Sequence, residues 1–319
     1  MRVTTHFRRL LFAICATGLL SYLVACAARS SGHVHTVAPD AAEIFSAGVI
    51  SDSNEQWRIT FTRDGNTAYF AESAEFFPFT RKATIYVSEY ADGKWSTPVV
   101  APFSGSHSDI DPFISPDGQR LYFSSIRPVT GVLRGDIDLW MVERTRAGWS
   151  APFHLGPEVN SPADELYPSA SADGTLYFAS GPSRPQPGGN FDIYSAARSG
   201  DGFARRKPLG PGVNTAPSGP GPNLQAAWEF NPEISLDGRT LVFTSLRPGG
   251  FGLGDLYVSN LEKGVWTAAR NLGPRVNTDA DEYHPTLSRD RRDLYFVRRT
   301  RDKGNFYRIS TRVIEAFKQ

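Results

Sequence analysis

Cysteine is nearly absent from this chain: its 319 residues hold two. That excludes a disulfide scaffold and any multi-cysteine metal site. A surplus of either charge is missing too, since 34 Lys plus Arg against 33 Asp plus Glu leave a formal charge of +1. A dedicated nucleic-acid binder needs a basic excess to displace counterions from phosphates, so that class is set aside. Long apolar runs are lacking as well: the longest mostly apolar stretch, residues 10–20, is short for a bilayer span. With 40% apolar and 21% charged residues, the chain is neither a charged disordered segment nor a multi-span membrane protein. The six histidines show no ligand spacing such as His-Glu-x-x-His: three lie before residue 40, and His107, His154 and His284 fall far apart. No metal or cofactor is expected. What is plentiful is aromatic residues (12%), 29 glycines and 23 prolines, the composition of many short strands and turns.

Residues 1–26 read as an export signal. Arg2, Arg8 and Arg9 precede the apolar stretch, which ends in Leu23-Val24-Ala25-Cys26. This ending resembles the bacterial lipobox, in which a cysteine is acylated and becomes the first residue after cleavage. The resemblance implies lipidation of Cys26, with several acyl tails giving stable anchoring where one would be marginal. Ala27 stands where an aspartate would imply inner-membrane retention, so the expected address is the periplasmic face of the outer membrane. Residues 27–40 have no periodicity and read as a flexible tether.

The body is a repeat. The turn SPDG at 115–118 recurs as TRDG at 62–65, SADG at 171–174, SLDG at 235–238 and, degraded, SRDR at 288–291. Their aspartates are spaced by 53, 56, 64 and 53 residues. Each is followed by an apolar-aromatic triplet such as Leu121-Tyr122-Phe123, then a Gly/Pro-rich loop, then a third run such as Asp138-Leu139-Trp140. A glycine turn with an aromatic follows in four units, and three of the connectors read Gly-Pro-x-Val-Asn or nearly so. Asp-Gly between apolar runs signals a hairpin, so each unit predicts a four-stranded antiparallel sheet. One such sheet cannot bury both faces, whereas a ring of them does. Residues 41–319 therefore predict a single all-β domain, a five-bladed β-propeller. The fifth unit lacks its outermost strand, and residues 43–49 resemble it, so the N-terminal strand is expected to close the ring.

Taken together, the SPDG…LYFSS…DLY units resemble the TolB-like, WD-repeat-like propeller repeat of Gram-negative envelope proteins, over about 280 residues. That resemblance is specific for the repeat rather than for any one protein.

Aligning the innermost strands on the turn aspartate exposes two kinds of position. The first slot is acidic in four units, Asp109, Glu165, Glu229 and Glu282, with Gln56 in the first unit and Glu55 beside it. Such acids either brace the blades, each pairing with an arginine of the next blade such as Arg127 or Arg247, or form a ring for a cation or basic segment. The third slot breaks the repeat: Arg58, Asp111, Tyr167, Asn231 and His284. So does the fifth: Thr60, Phe113, Ser169, Glu233 and Thr286. Period-two alternation puts these odd slots on the channel side, making them candidate binding residues at its mouth. Two function classes follow. One is an anchored binding or scaffold propeller that engages an envelope protein, peptidoglycan or a small ligand. The other is a carbohydrate-active hydrolase or lyase using Asp111 and Glu233, since five-bladed propellers also host glycoside hydrolases and such chemistry needs paired carboxylates. Residues 277–281 look like the start of a calcium loop but lack its glycine and distal glutamate, so turn structure explains them.

Overall fold

In a computed structural model, residues 37–132, 135–183, 189–216, 228–301 and 303–317 are described. The signal segment with Cys26, most of the tether, and a Pro/Gly insertion at 217–222 lie outside them. The described chain forms five antiparallel sheets in a ring. Their innermost strands are Glu55–Phe61, Asp109–Ile114, Asp164–Ala170, Glu229–Ile234 and Asp281–Leu287, one from each repeat.

The turn after each innermost strand builds itself from its own side chains. In blade 2, the Ser115 hydroxyl donates to Asp117 (2.5 Å) and accepts from the Arg120 N–H (2.9 Å). Asp117 in turn accepts from the Gln119 N–H (2.9 Å), and Gly118 takes a φ of 73° that a side chain would resist. Thr62/Asp64, Ser171/Asp173, Ser235/Asp237 and Ser288/Asp290 make the same hydroxyl–carboxylate bond. In the degraded fifth copy Arg291 carries the left-handed φ of 59° instead of glycine.

The outermost strand of a blade is broken rather than continuous. In blade 1, Lys94–Trp95 and Val99–Val100 both pair with Thr84–Ala91, leaving a kink between them. Ser96 bridges the kink: its N–H donates to Glu89 O (2.8 Å) and its hydroxyl accepts from the Glu89 N–H (3.0 Å). Ser150 does the same in blade 2 and Thr267 in blade 4. The connector asparagines act similarly. Asn160 accepts from Leu139 N–H (2.8 Å) and donates to Leu139 O (3.0 Å), so its amide stands in for a strand residue. Asn214 and Asn277 repeat the arrangement on Ile193 and Leu256. This explains why Gly-Pro-x-Val-Asn recurs: the valine is buried and the asparagine mimics the ladder.

Apolar clusters fill the seams between neighbouring blades. Phe178 and Met141 share one, Phe243 and Val213 the next, Phe296 and Val258 a third, and Phe70 and Phe306 the seam between the last blade and the first. That last seam is where the ring closes. Glu43–Ile44 pairs with Gly304–Ser310 in the register Glu43↔Arg308 and Ile44↔Tyr307, so the N-terminal strand closes the ring as the sequence predicts. It is shorter than residues 43–49 because the chain turns at Ser46, whose carbonyl accepts from the Ile50 N–H (3.0 Å). Phe45 N–H then donates to Phe306 O (2.8 Å), and the Phe45 ring packs edge-on against Tyr295, Phe61 and Trp95.

Because Phe45 is 3% exposed whereas Ile44 is 46% exposed, the two substitutions separate the latch's packing from its backbone pairing. Phe45→Ala should lower unfolding stability by about 3–5 kcal/mol in urea, and Ile44→Ala by less than about 1 kcal/mol. Equal midpoints for wild type and Phe45→Ala would show that closure does not rest on this ring.

Candidate functional site

Every innermost strand slips register by one residue against its neighbour, between Trp57 and Ile59, Ile110 and Phe113, Leu166 and Ser169, Phe230 and Glu233, and Tyr283 and Thr286. The bulged residue is the third slot. In four blades it has left-handed φ: Asp111 (57°), Tyr167 (62°), Asn231 (53°) and His284 (50°). Each precedes a proline, Pro112, Pro168, Pro232 or Pro285. Proline has no N–H to give the ladder and disfavours the α region for the residue before it. Blade 1 has Ile59 at that place, and its Arg58 is not among the left-handed residues.

The bulges bring the five third-slot side chains together on the axis. Asn231 Oδ1 accepts from Thr244 Oγ1 (3.1 Å) and from the His284 N–H (3.3 Å), which turns its Nδ2 toward His284 Nδ1 (3.1 Å). His284 Nδ1 is therefore an acceptor, and burial holds the imidazole well below its ordinary pKa, neutral. Asp111 Oδ1 approaches the same nitrogen at 3.5 Å. This contact is not an ion pair, because the imidazole is neutral; burial also pushes the Asp111 carboxyl up to about 7, only partly opposed by Arg58. Tyr167 and Trp57 close over the imidazole edge-on, with centroids 5.4 and 5.6 Å away.

Arg58 spans the hub from blade 1 to blade 4. It donates to Pro232 O (3.1 Å), forms a tight ion pair with Glu233, and lies over the Phe113 ring (5.3 Å). Burial pushes the Glu233 carboxyl up to about 7 despite this partner. Arg58, Asp111, Asn231 and His284 are at most 2% exposed. The repeat-breaking residues thus form a closed polar plug.

Fifth-slot residues tie four of the five blades to the next; blade 2 has the apolar Phe113 there. Thr60 Oγ1 accepts from Ile114 N–H (3.2 Å), Ser169 Oγ from Ile234 N–H (3.4 Å) and Glu233 Oε1 from Leu287 N–H (3.1 Å). Thr286 Oγ1 links the last blade to the first by donating to Ile59 O (2.7 Å).

The first-slot acids are not brought together. Each stays in its own blade, 0% exposed, on its own arginine: Asp109–Arg127 (2.7 Å), Glu165–Arg206 (2.6 Å), Glu229–Arg247 (3.1 Å) and Glu282–Arg298 (2.7 Å). The expected partner was an arginine of the next blade; Arg127 and Arg247 instead fold back within the blade, because they directly follow the strand paired with the acid. Blade 3 has Pro182 at that place and recruits Arg206 from its outer edge. Glu165, Glu229 and Glu282 also accept the N–H and hydroxyl of Ser161, Thr215 and Thr278, fixing the incoming connector. In blade 1 the slot holds Gln56, and Glu55 pairs with Arg299 of blade 5 (3.3 Å).

On the side of the SPDG-type turns, the plug floors an axial cavity of about 130 Å³. Phe61, Phe113, Ile114, Ala170, Ile234 and Leu287 wall it, Glu233 lies at its base, and Arg63, Arg289 and Arg291 stand among its lining residues. Arg289 and Arg291 belong to a local basic run, with Arg292, that reads in the sequence as a solvated face; Arg63 and Arg289 occupy one turn position that is Pro116, Ala172 and Leu236 in the other blades. Among the described residues, no group of three or more His, Cys, Asp or Glu is placed to hold a metal ion, and no helix is long and apolar enough to cross a membrane.

Fold and hub together define a five-bladed β-propeller. No family model matches the chain, and no curated protein is similar to it in sequence. Among solved structures it is similar to a protein of unknown function from Dyadobacter fermentans, at 14% identity and TM-score 0.50, over 87% of this chain and 85% of that one. TolB proteins are also among its neighbours. TolB from Acinetobacter baumannii matches 81% of this chain at 14% identity and TM-score 0.47, and this chain spans 52% of its length. An alpha-L-arabinofuranosidase from Lactobacillus brevis matches 82% of this chain and 90% of its own, at 13% identity and TM-score 0.47. Likeness at these identities is one of fold.

The state of Asp111 makes a pH prediction. Between about pH 4 and 7 the unfolded aspartate has released its proton while the buried one keeps it, so the folded state binds more protons and stability falls as pH rises. Asp111→Asn removes this contribution. Its thermal midpoint should decline less steeply than the wild type's across that window; parallel curves would refute a protonated Asp111.

Proposed function

We propose that this chain is a non-catalytic binding propeller of the bacterial envelope, held at the periplasmic face of the outer membrane by lipidated Cys26, and that it engages another envelope protein. The observation that carries this reading is the fate of the two repeat-breaking acids. Asp111 is sealed in the plug against His284, while Glu233, at the base of the axial cavity, is held by Arg58 and the Leu287 N–H, so the two carboxylates do not face one common site. Hydrolysis by paired acids needs one of them to reach the glycosidic oxygen and the other the anomeric carbon or a water.

The partner surface in this reading is the face carrying the loops between second and third strands. Phe79, Val132, Phe251 and Leu253 are exposed there, on blades 1, 2 and 4, with Phe79 the most exposed at 86%. Tyr167, Phe230 and Tyr283 lie partly exposed in mutual contact nearer the axis. Clustered apolar side chains on loops held by a rigid scaffold mark an interaction surface.

Photo-crosslinkers at Phe79 and Leu253 in intact cells should capture the same envelope protein, while one at Val265, on an outer strand, should not. Identical products from all three positions would overturn the reading, as would capture of peptidoglycan alone. So would glycoside turnover by the purified protein that Asp111→Asn abolishes. Cys26→Ser should release the protein from the membrane fraction and end palmitate labelling; unchanged fractionation would refute the anchor.

A further inference from the structure

The axial cavity on the turn side is unlike the rest of the hub. Its walls are apolar side chains from the blades, and its volume of about 130 Å³ is close to that of cavities which take up one benzene-sized group. Its rim is basic. Arg289 reaches from the blade 5 turn across the opening to blade 2, donating to Pro116 O (2.6 Å) and Ser115 O (3.4 Å). Arg63 projects from the neighbouring blade 1 turn and is exposed. The acids at this end are engaged. Asp290 accepts from Ser288 Oγ and Arg292 N–H in its own turn, and Glu233 at the base is held by Arg58 and the Leu287 N–H. Arg291 is drawn aside to Thr240 Oγ1 (2.9 Å) and toward Asp237 (3.9 Å).

Two guanidinium groups of like charge therefore line one apolar hollow. Arg289, partly buried, makes its hydrogen bonds to neutral carbonyls, and Asp117, the acid near it, already accepts from Ser115 Oγ and the Gln119 N–H of its own turn. Burial and the nearby Arg63 lower the Arg289 pKa, only partly opposed by Asp117. A guanidinium gains most from a carboxylate, which its planar fork meets with two charge-assisted hydrogen bonds. An incoming carboxylate would replace the Pro116 and Ser115 carbonyls on Arg289 and relieve its repulsion with Arg63.

We propose that this cavity is a binding site for a carboxylate carrying one compact apolar group, phenyl or branched alkyl, with the group in the hollow and the carboxylate on Arg289 and Arg63. A free organic acid and the C-terminus of a peptide offer the same chemistry. The opposite character is disfavoured: an amine would meet two cations at the rim, and a sugar would strand its hydroxyls against Phe61, Phe113 and Leu287. The site deepens the binding reading but stands on the face opposite the loop surface, so the two fail independently. Crosslinks from Phe79 persist if the cavity takes no carboxylate, and carboxylate binding persists if those crosslinks are absent.

The test is calorimetric titration of the folded protein with 3-phenylpropionate, 3-phenylpropionamide and phenethylamine, together with a tripeptide ending in phenylalanine, as free acid and as amide. At least one carboxylate should bind about tenfold or more tightly than its amide, and the amine should not bind. Binding of the free acid alone, the peptide acid alone, or both identifies the source, and each supports the site. Arg289→Gln with Arg63→Gln should abolish the preference for acid over amide with the circular dichroism spectrum unchanged, and Arg289→Lys should keep part of it. Saturable binding of acid and amide with equal affinity, binding of the amine, or no heat with any carboxylate up to about 10 mM would overturn the proposal. Should the double variant fail to fold, nuclear magnetic resonance shifts of Phe61, Phe113 and Leu287 on adding 3-phenylpropionate decide it: shifts confined to these residues support the site, and shifts elsewhere or none refute it.

Discussion

A strand that lines the axis of a ring has no neighbour on its inner side to receive its side chains in regular alternation. This protein resolves the problem with one extra residue per innermost strand. The bulge at the third slot, locked in four blades by a following proline, turns that residue toward the axis while its neighbours keep facing the blade seams. Everything at the hub depends on it: the meeting of Asp111, Asn231 and His284, and the arrival of Tyr167 above them. A regular strand would carry these side chains to the opposite face.

The plug this creates is polar, buried and joined across blades distant in sequence. Arg58 and Glu233 are 175 residues apart and joined across the axis. Asn231 spends both ends of its amide, on Thr244 and on His284. Buried ion pairs contribute little net stability against an apolar core of the same shape, because desolvation consumes their attraction. Their value here is specificity of arrangement: only one rotational order of blades brings Arg58 to Glu233 and Thr286 to Ile59. The apolar seams, similar from blade to blade, supply cohesion without distinguishing that order.

Much of the architecture was legible in the sequence because its signals are local and repeated. The SPDG turns fix blade number, and the fifth unit's missing strand points to residues 43–49 for closure. The broken outer strands were not legible: Ser96, Ser150 and Thr267 look like ordinary turn residues until their hydroxyls are seen occupying ladder positions. At the hub, composition singled out the slots that meet there, since Arg58, Asp111, Tyr167, Asn231 and His284 differ where their neighbours agree. Counting by twos could not show that they are sealed inside, because the bulge interrupts the count. The clue was the proline after four of them. The first-slot acids were equally visible, yet their partners depend on how the chain turns after the second strand, as blade 3 shows by recruiting Arg206. The basic rim was not legible because Arg63 and Arg289 sit in turns, where a charged residue reads as part of a solvated face until the ring places both at one opening.

The latch strand has a mechanical consequence. The chain reaches the propeller at its seam: Pro39 accepts from the Ser310 N–H (2.8 Å), Asp40 pairs with Arg312 (2.8 Å), and Glu43–Ile44 lies along the final blade. Any tension arriving through residues 1–36 is therefore borne first by this short edge strand and by the Phe45 ring wedged behind it. Force applied from that end peels the seam one hydrogen bond at a time, whereas the other four seams, sewn by continuous chain, are loaded only after it has given way.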